Sequence, residues 1–230
     1  MNENMNEYKE ISNPYLPLFI DFSEKPVLIF GGGTVGERKA LRFMKSAPVT
    51  VVSLRFTDLL LKNAQSGQIQ ILEKDISKMS DADLKTLMKG VFLVVAATPS
   101  NALNDRISKI AKSTGILVNH AGGADAVVIP SLIEKNGLSI AISSGGESPA
   151  VTKYVRIQIE KTIGSDFEKM ILIQNEMREE LKKTIPDQKK RQAVLWEIMD
   201  SDEIWELLKS DSDADFEKAK KKAYEIVKNV

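Results

Sequence analysis

VLIFGGGTVGERKA (residues 27–40) decides the fold: four apolar residues run into three consecutive glycines, a fourth glycine follows three positions on, and a segment of helical period begins. Gly31, Gly33 and Gly36 satisfy the GxGxxG spacing between an apolar strand and a helix. Each has a task there. Gly31 permits a tight turn, Gly33 removes a side chain that would block a pyrophosphate, and Gly36 lets the helix pack close to the strand. Thr34 and Val35 open the helix, whose unpaired N–H groups and positive dipole end suit a phosphate. A glycine-rich turn with no ligand has the same letters, but the strand before it, the helix after it and the βαβ pattern beyond favour dinucleotide binding.

Working outward, short apolar runs alternate with helical periods. Strands are expected near 27–30, 49–53, 69–72, 91–96 and 116–119, and helices over 34–45, 57–64, 81–88 and 101–113. This is an α/β pattern, a Rossmann-type parallel sheet covered by crossover helices. LPLFIDF (16–22) can pair with a sheet edge, SEKP being its turn. After Asn119 the texture changes. Two short strands, 127–129 and 138–143, are expected to form a hairpin through Lys135-Asn136-Gly137, since Asn-Gly is a strong hairpin signal. From Pro149 onward the chain reads as charged helices, broken near Gly164, Pro186, Asp200 and Asp211. Three segments follow: 1–118, a dinucleotide-binding domain; 119–148, a small β-containing segment; and 149–230, a helical C-terminal domain.

The acidic residue expected about 20 positions after the glycines is missing, and Val51-Val52-Ser53-Leu54-Arg55 occupies its place. Ser53 can bond a ribose hydroxyl; Arg55 can contact a 2′-phosphate or simply be solvated. At the end of the fourth strand, the small residues of Ala96-Ala97-Thr98-Pro99 let a cofactor lie close to the backbone, or merely pack tightly.

Composition excludes several classes. Lys plus Arg equals Asp plus Glu at 32 each, so no global field recruits nucleic acid or an anionic membrane. There is no Cys, which removes disulfides, thiolate metal sites and a Cys nucleophile and fits a reducing compartment. MNENMNEYKEISNP lacks the regions of a signal peptide and no apolar run approaches a membrane span, so cytoplasm is the expected location. No spaced His, Cys or carboxylate cluster supports a metal site.

Four segments in order, GGGTVGERKA (31–40), VVAATPSNALNDRI (94–107), LVNHAGG (117–123) and SSGGESPAVTKYVR (143–156), resemble the precorrin-2 dehydrogenase family, which includes the N-terminal module of siroheme synthase. The resemblance covers about Leu16 to Arg156 and is weaker in the helical tail. It implies oxidation of the tetrapyrrole precorrin-2 to sirohydrochlorin with hydride passing to NAD⁺, on the route to siroheme or a related tetrapyrrole. It also implies a homodimer that pairs through 119–148. Some family members insert ferrous iron into the product as well. In those, an Asp lies three residues after the Asn of the VN segment, whereas here that position is Gly122. A single-activity dehydrogenase is therefore the leading reading, a bifunctional dehydrogenase and ferrochelatase the alternative.

The base must then come from elsewhere. His120, the only His, follows Asn119 at the carboxyl end of the fifth strand, where open α/β sheets place ligands. An imidazole can accept the proton that leaves as a carbon–carbon bond is desaturated, or be a hydrogen-bonded His between domains. Asp125 in the shortened stretch can do the same task, or be a turn residue. Ser143-Ser144-Gly145-Gly146-Glu147-Ser148-Pro149 has Ser148 suited to a helix N-cap and Pro149 to the first turn. With Lys153 and Arg156 on the following helix, Ser144, Gly145 and Ser148 can hold substrate carboxylates, or form a capped, solvated helix start; Asn119 is a further candidate for substrate contact. In the tail, Trp196, Met199, Trp205 and Leu208 read as a packing stripe and Lys220 to Lys222 as a solvated face. A module that senses NAD without chemistry is the reading from a different class; the SSGGESP loop and the additional helices speak against it.

Overall fold

The computed structural model describes residues 15–120 and 127–229. The chain divides into two compact units, Met1–Ile129 and Pro130–Val230. In the first, β1 (Val27–Phe30), β2 (Val49–Ser53), β3 (Gln70–Glu73), β4 (Leu93–Ala96) and β5 (Leu117–His120) form an all-parallel sheet of order β3-β2-β1-β4-β5. The crossovers are α1 (Thr34–Phe43), α2 (Asp58–Gln65), a 3-10 turn (Ile76–Lys78) with α3 (Asp81–Leu87), and α4 (Asn101–Ser113).

The unbroken apolar run of β1 follows from burial on both faces. Leu28 and Phe30 point into one core layer with Leu84 of α3 and Ile107 of α4, whereas Val27 and Ile29 point into the other with Ala40 of α1 and Leu60 of α2. All four β1 residues are at most 3% exposed, and burying a side chain of this size stabilises by roughly 1.5–3 kcal/mol each. The chain first moves outward from β1 to β2 and β3, then crosses back to place β4 on the other side of β1. A crevice opens at the carboxyl ends of β1 and β4, where the connections diverge.

LPLFIDF is not a strand. Leu16, Leu18, Phe19 and Ile20 are exposed, and the segment is tied down at its end by Phe22, whose ring packs 5.6 Å from Phe43 and edge-on at 5.5 Å from Phe92. An aromatic anchor replaces the expected edge pairing.

The second unit begins with an antiparallel hairpin, β6 (Ser131–Lys135) and β7 (Leu138–Ile142). The expected first strand at 127–129 is thereby corrected. Lys135 pairs with Leu138 around the two-residue turn Asn136-Gly137, with Gly137 at φ +84°, so the residues facing β7 must be those directly ahead of the turn. Pro130, which has no N–H to give a ladder, stands just before the strand. The hairpin and α5 (Pro149–Thr162) pack together within one unit with α6 (Ser165–Thr184), α7 (Gln188–Met199), α8 (Asp202–Leu208) and α9 (Asp213–Lys228). The division at 129/130 thus differs from the three segments read from the texture, because β5 and the backbone at Val127 stay with the sheet while β6 stays with α5.

Helices α6 to α9 enclose a core of Met170, Ile173, Met177, Ile198, Ile204 and Leu208, against which Met199 and Trp205 pack. Trp196, read as part of that stripe, is 57% exposed instead. Nor is 220–222 a free solvated face: Lys220 pairs with Glu176 at 2.9 Å and Lys222 with Glu203 at 2.6 Å.

Candidate functional site

A cleft of about 670 Å³ lies at the carboxyl edge of the parallel sheet, between the glycine loop, the turn after β2, the exit of β3 and the turn after β4. Its floor is backbone. Gly31 has φ +118°, and a Cβ there would stand 2.3 Å from the carbonyl oxygen of Ala97; at Gly36 it would stand 1.8 Å from that of Gly31. The tight turn and the close helix approach expected of these two are both present. Gly33 differs in kind, since a Cβ there meets nothing within 4 Å. Its small size serves no packing need of the protein and leaves space in front of the helix.

That space faces an uncapped helix. Thr57, Ser80 and Ser100 cap α2, α3 and α4 with side-chain oxygens, whereas Gly33 gives α1 no side-chain hydrogen bond. Among the described α-helices of this unit, α1 alone presents its first-turn N–H groups without a side-chain acceptor, and its positive dipole end lies over the cleft. Thr34 and Val35, exposed in that turn, line the opening. The residues fit a pyrophosphate, as the glycine spacing implied.

Ser53 ends β2 on the cleft wall, its Oγ accepting from the Arg55 N–H at 3.4 Å. Ala97 is buried and donates its N–H to Phe30 at 2.8 Å, which stitches the β4 turn to β1. Thr98 lines the cleft, and its hydroxyl donates to Asn104 Oδ1 at 2.7 Å.

Three contributors were not singled out in the sequence. Asn104, 1% exposed, accepts from the Thr98 N–H at 2.9 Å and donates Nδ2 to the Thr98 carbonyl at 2.9 Å, clamping the β4 turn. A signal was there, an Asn on the buried stripe of α4 with Ile107 and Ala111. Gly32 is the second: a Cβ there would stand 2.3 Å from the carbonyl oxygen of Arg55, so the glycine loop and the β2 turn are locked together. The third is Asp105.

Asp105 lies beside His120. The imidazole, 9% exposed and in register with Ala96, ends β5. Its Nε2 is 3.7 Å from Asp105 Oδ1, beyond a hydrogen bond but within ion-pair reach once the ring is protonated. Asn119 donates Nδ2 to the Val127 carbonyl at 2.9 Å, and its buried Oδ1 has no hydrogen-bond partner among the described residues. Asp125 lies outside the described residues.

The substrate candidates gather in the second unit, at the start of α5. Ser144 Oγ accepts from the Ser148 N–H at 2.9 Å, Ser148 Oγ accepts from the Val151 N–H at 3.3 Å, and Gly145 turns the loop at φ +67°. Lys153 is exposed, whereas Arg156 pairs with Glu160 one turn on. The expected helix cap is in place, and one of the two expected cations is already engaged.

A family model described as "Putative NAD(P)-binding" matches residues 18–131, and one described as "Sirohaem biosynthesis protein central" matches residues 135–162. The chain is 40% identical over 216 residues to "Precorrin-2 dehydrogenase" of Methanosarcina barkeri, covering 94% of this chain and 95% of that one. It is 34% identical over 199 residues to "Putative precorrin-2 dehydrogenase" of Methanocaldococcus jannaschii, covering 84% and 94%. "Siroheme synthase" of Psychromonas ingrahamii is 33% identical over 174 residues, which span 35% of its length. The solved structure "SirC, precorrin-2 dehydrogenase" shares the fold, with a TM-score of 0.72 over 92% of this chain and 100% of that one at 24% identity.

Proposed function

Because this chain belongs to the precorrin-2 dehydrogenase family, we propose that it oxidises precorrin-2 to sirohydrochlorin in siroheme or related tetrapyrrole biosynthesis, with NAD⁺ as hydride acceptor. It is an oxidoreductase with an NAD(P)-binding domain. The observation that carries the cofactor reading is the open space at Gly33 in front of the uncapped N-terminus of α1. The bound dinucleotide would accept a hydride; the protein's residues do the rest. Backbone N–H groups of the first turn of α1 hold the pyrophosphate, and the β4 turn, clamped by Asn104, forms the wall beside it. His120 takes the proton that leaves with the hydride, and the Asp105 carboxylate stabilises the imidazolium so formed. Asp125 is the alternative base. Ser144, Gly145, Ser148 and Lys153 bind substrate carboxylates through hydroxyl, amide and ammonium donors.

The protein acts as a homodimer in the cytoplasm. The two-stranded β6–β7 sheet is too small to be stable by itself, and no residue of α5 is fully buried, Val151 and Tyr154 being more than half exposed. These support pairing of two copies through the hairpin and α5. Purified protein given precorrin-2 and NAD⁺ should form NADH and sirohydrochlorin one for one. No NADH with substrate of proven competence would overturn the reading.

A further inference from the structure

We infer that the β2 end of the cleft accepts a phosphate on the 2′ position of the adenosine ribose, so that the protein uses NADP⁺ alongside NAD⁺. The inference rests on the dinucleotide reading of the cleft. In a Rossmann site the ribose lies at the carboxyl end of the second strand, where a carboxylate bonds the 2′-hydroxyl and repels a phosphate, or an Arg accommodates one. Residues 49–57 contain no Asp or Glu. β2 ends on Ser53 instead, and two exposed cations, Arg55 and Lys74, line the same wall.

Their placement follows from the backbone. The Lys74 N–H donates to the Ser53 carbonyl at 3.0 Å, so the exit of β3 is strapped to the end of β2 and Lys74 lines the cleft together with Ser53 and Arg55. Gly32 lies against the Arg55 carbonyl, which holds this turn at a fixed distance from the pyrophosphate loop. Ser53 Oγ, accepting from the Arg55 N–H, keeps its own proton to donate to a phosphate oxygen or a hydroxyl. Two carboxylates lie near in sequence. Glu73, in register with Ser53, is exposed and does not line the cleft; Asp75, which does, accepts from the Ser77 N–H and hydroxyl on its own 3-10 turn and pairs with Lys78 at 3.4 Å. A hydroxyl donor on a cleft lining that also carries two exposed cations, with Asp75 engaged on its own turn, suits a dianion; an Arg is the residue that binds such a phosphate with two parallel bonds.

The test is calorimetric titration of the full-length protein with adenosine 2′,5′-bisphosphate and adenosine 5′-phosphate, then with NADP⁺ and NAD⁺. The bisphosphate should bind at least about fivefold more tightly than the monophosphate, given the strength of charge-assisted bonds to phosphate. The double variant Arg55→Ser, Lys74→Ser should lower the ratio of NADP⁺ to NAD⁺ affinity roughly tenfold without moving Tm, because both positions are exposed. Binding of NAD⁺ with none of NADP⁺, or a ratio that the double variant leaves unmoved, would overturn the inference and leave the dehydrogenase reading intact. Failure of both dinucleotides to bind would remove the two together.

Discussion

Gly33 and Gly36 are three residues apart and have opposite reasons to be glycine. At Gly33 the backbone angles, φ −82° and ψ −171°, are open to any residue and a Cβ meets no protein atom. Gly33→Asp should therefore leave Tm unchanged while abolishing dinucleotide binding, since a carboxylate would fill the phosphate space and repel its charge. At Gly36 a Cβ would stand 1.8 Å from a backbone oxygen. Gly36→Ala should cost at least the ~1–3 kcal/mol typical of overpacking and lower Tm with cofactor affinity. Thermal melts beside a titration with NAD⁺ separate the two, and equal loss of Tm in both variants would contradict the assignment. At the other edge of the sheet, His120→Asn should lower kcat by roughly 10²-fold, the scale of general-base removal, with NAD⁺ affinity nearly intact. Asp105 is a weaker partner, its carboxylate 73% exposed at 3.7 Å. An exposed pair is worth ~0.2–1 kcal/mol, so Asp105→Asn should cost at most about fivefold. If Asp125→Asn matters more than His120→Asn, the base is the carboxylate.

At the scale of elements, one buried amide decides how the β4 turn is held. Asn104 satisfies both backbone groups of Thr98 from inside the apolar stripe of α4. Asn104→Leu keeps the volume but takes the side-chain partner from the N–H and carbonyl of half-buried Thr98, at up to ~1–3 kcal/mol each, so the turn should loosen. Steady-state kinetics should then give KM for NAD⁺ raised about tenfold or more with kcat much less affected, and Asn104→Asp, which retains the acceptor toward the Thr98 N–H, should lie between. An unchanged KM would make Asn104 a packing residue only. The hairpin teaches a related lesson. Asn136-Gly137 is legible as a turn, and the apolar residues at 127–129 suggest its first strand; a two-residue turn dictates instead that 131–135 face 138–142. LPLFIDF misled for the converse reason, because an apolar run near a sheet need not join it when one aromatic, Phe22, can be anchored on Phe43 and Phe92.

For the whole molecule, the second unit has surfaces that its own residues do not cover. No residue of α5 is fully buried, and the β6–β7 sheet has two strands. Sedimentation at micromolar concentration should give a dimer, and Val151→Glu with Tyr154→Glu, placing charges at two exposed apolar positions of α5, should shift it toward monomer without unfolding either unit. A monomer at all concentrations would contradict the pairing. The order of strands and helices along the chain, the Rossmann class and the glycine-rich turn after the first strand were determined by the sequence alone, because each is written locally: apolar runs of strand length, helical periods between them, and glycines at fixed spacing. The partners within the site were decided only by tertiary structure. Asn104 on Thr98, Asp105 beside His120, Gly32 against Arg55, and Arg55 and Lys74 on one wall join residues from different strands and crossovers. Such neighbours depend on which strands lie side by side and how each helix returns across the sheet, and no local periodicity encodes that geometry.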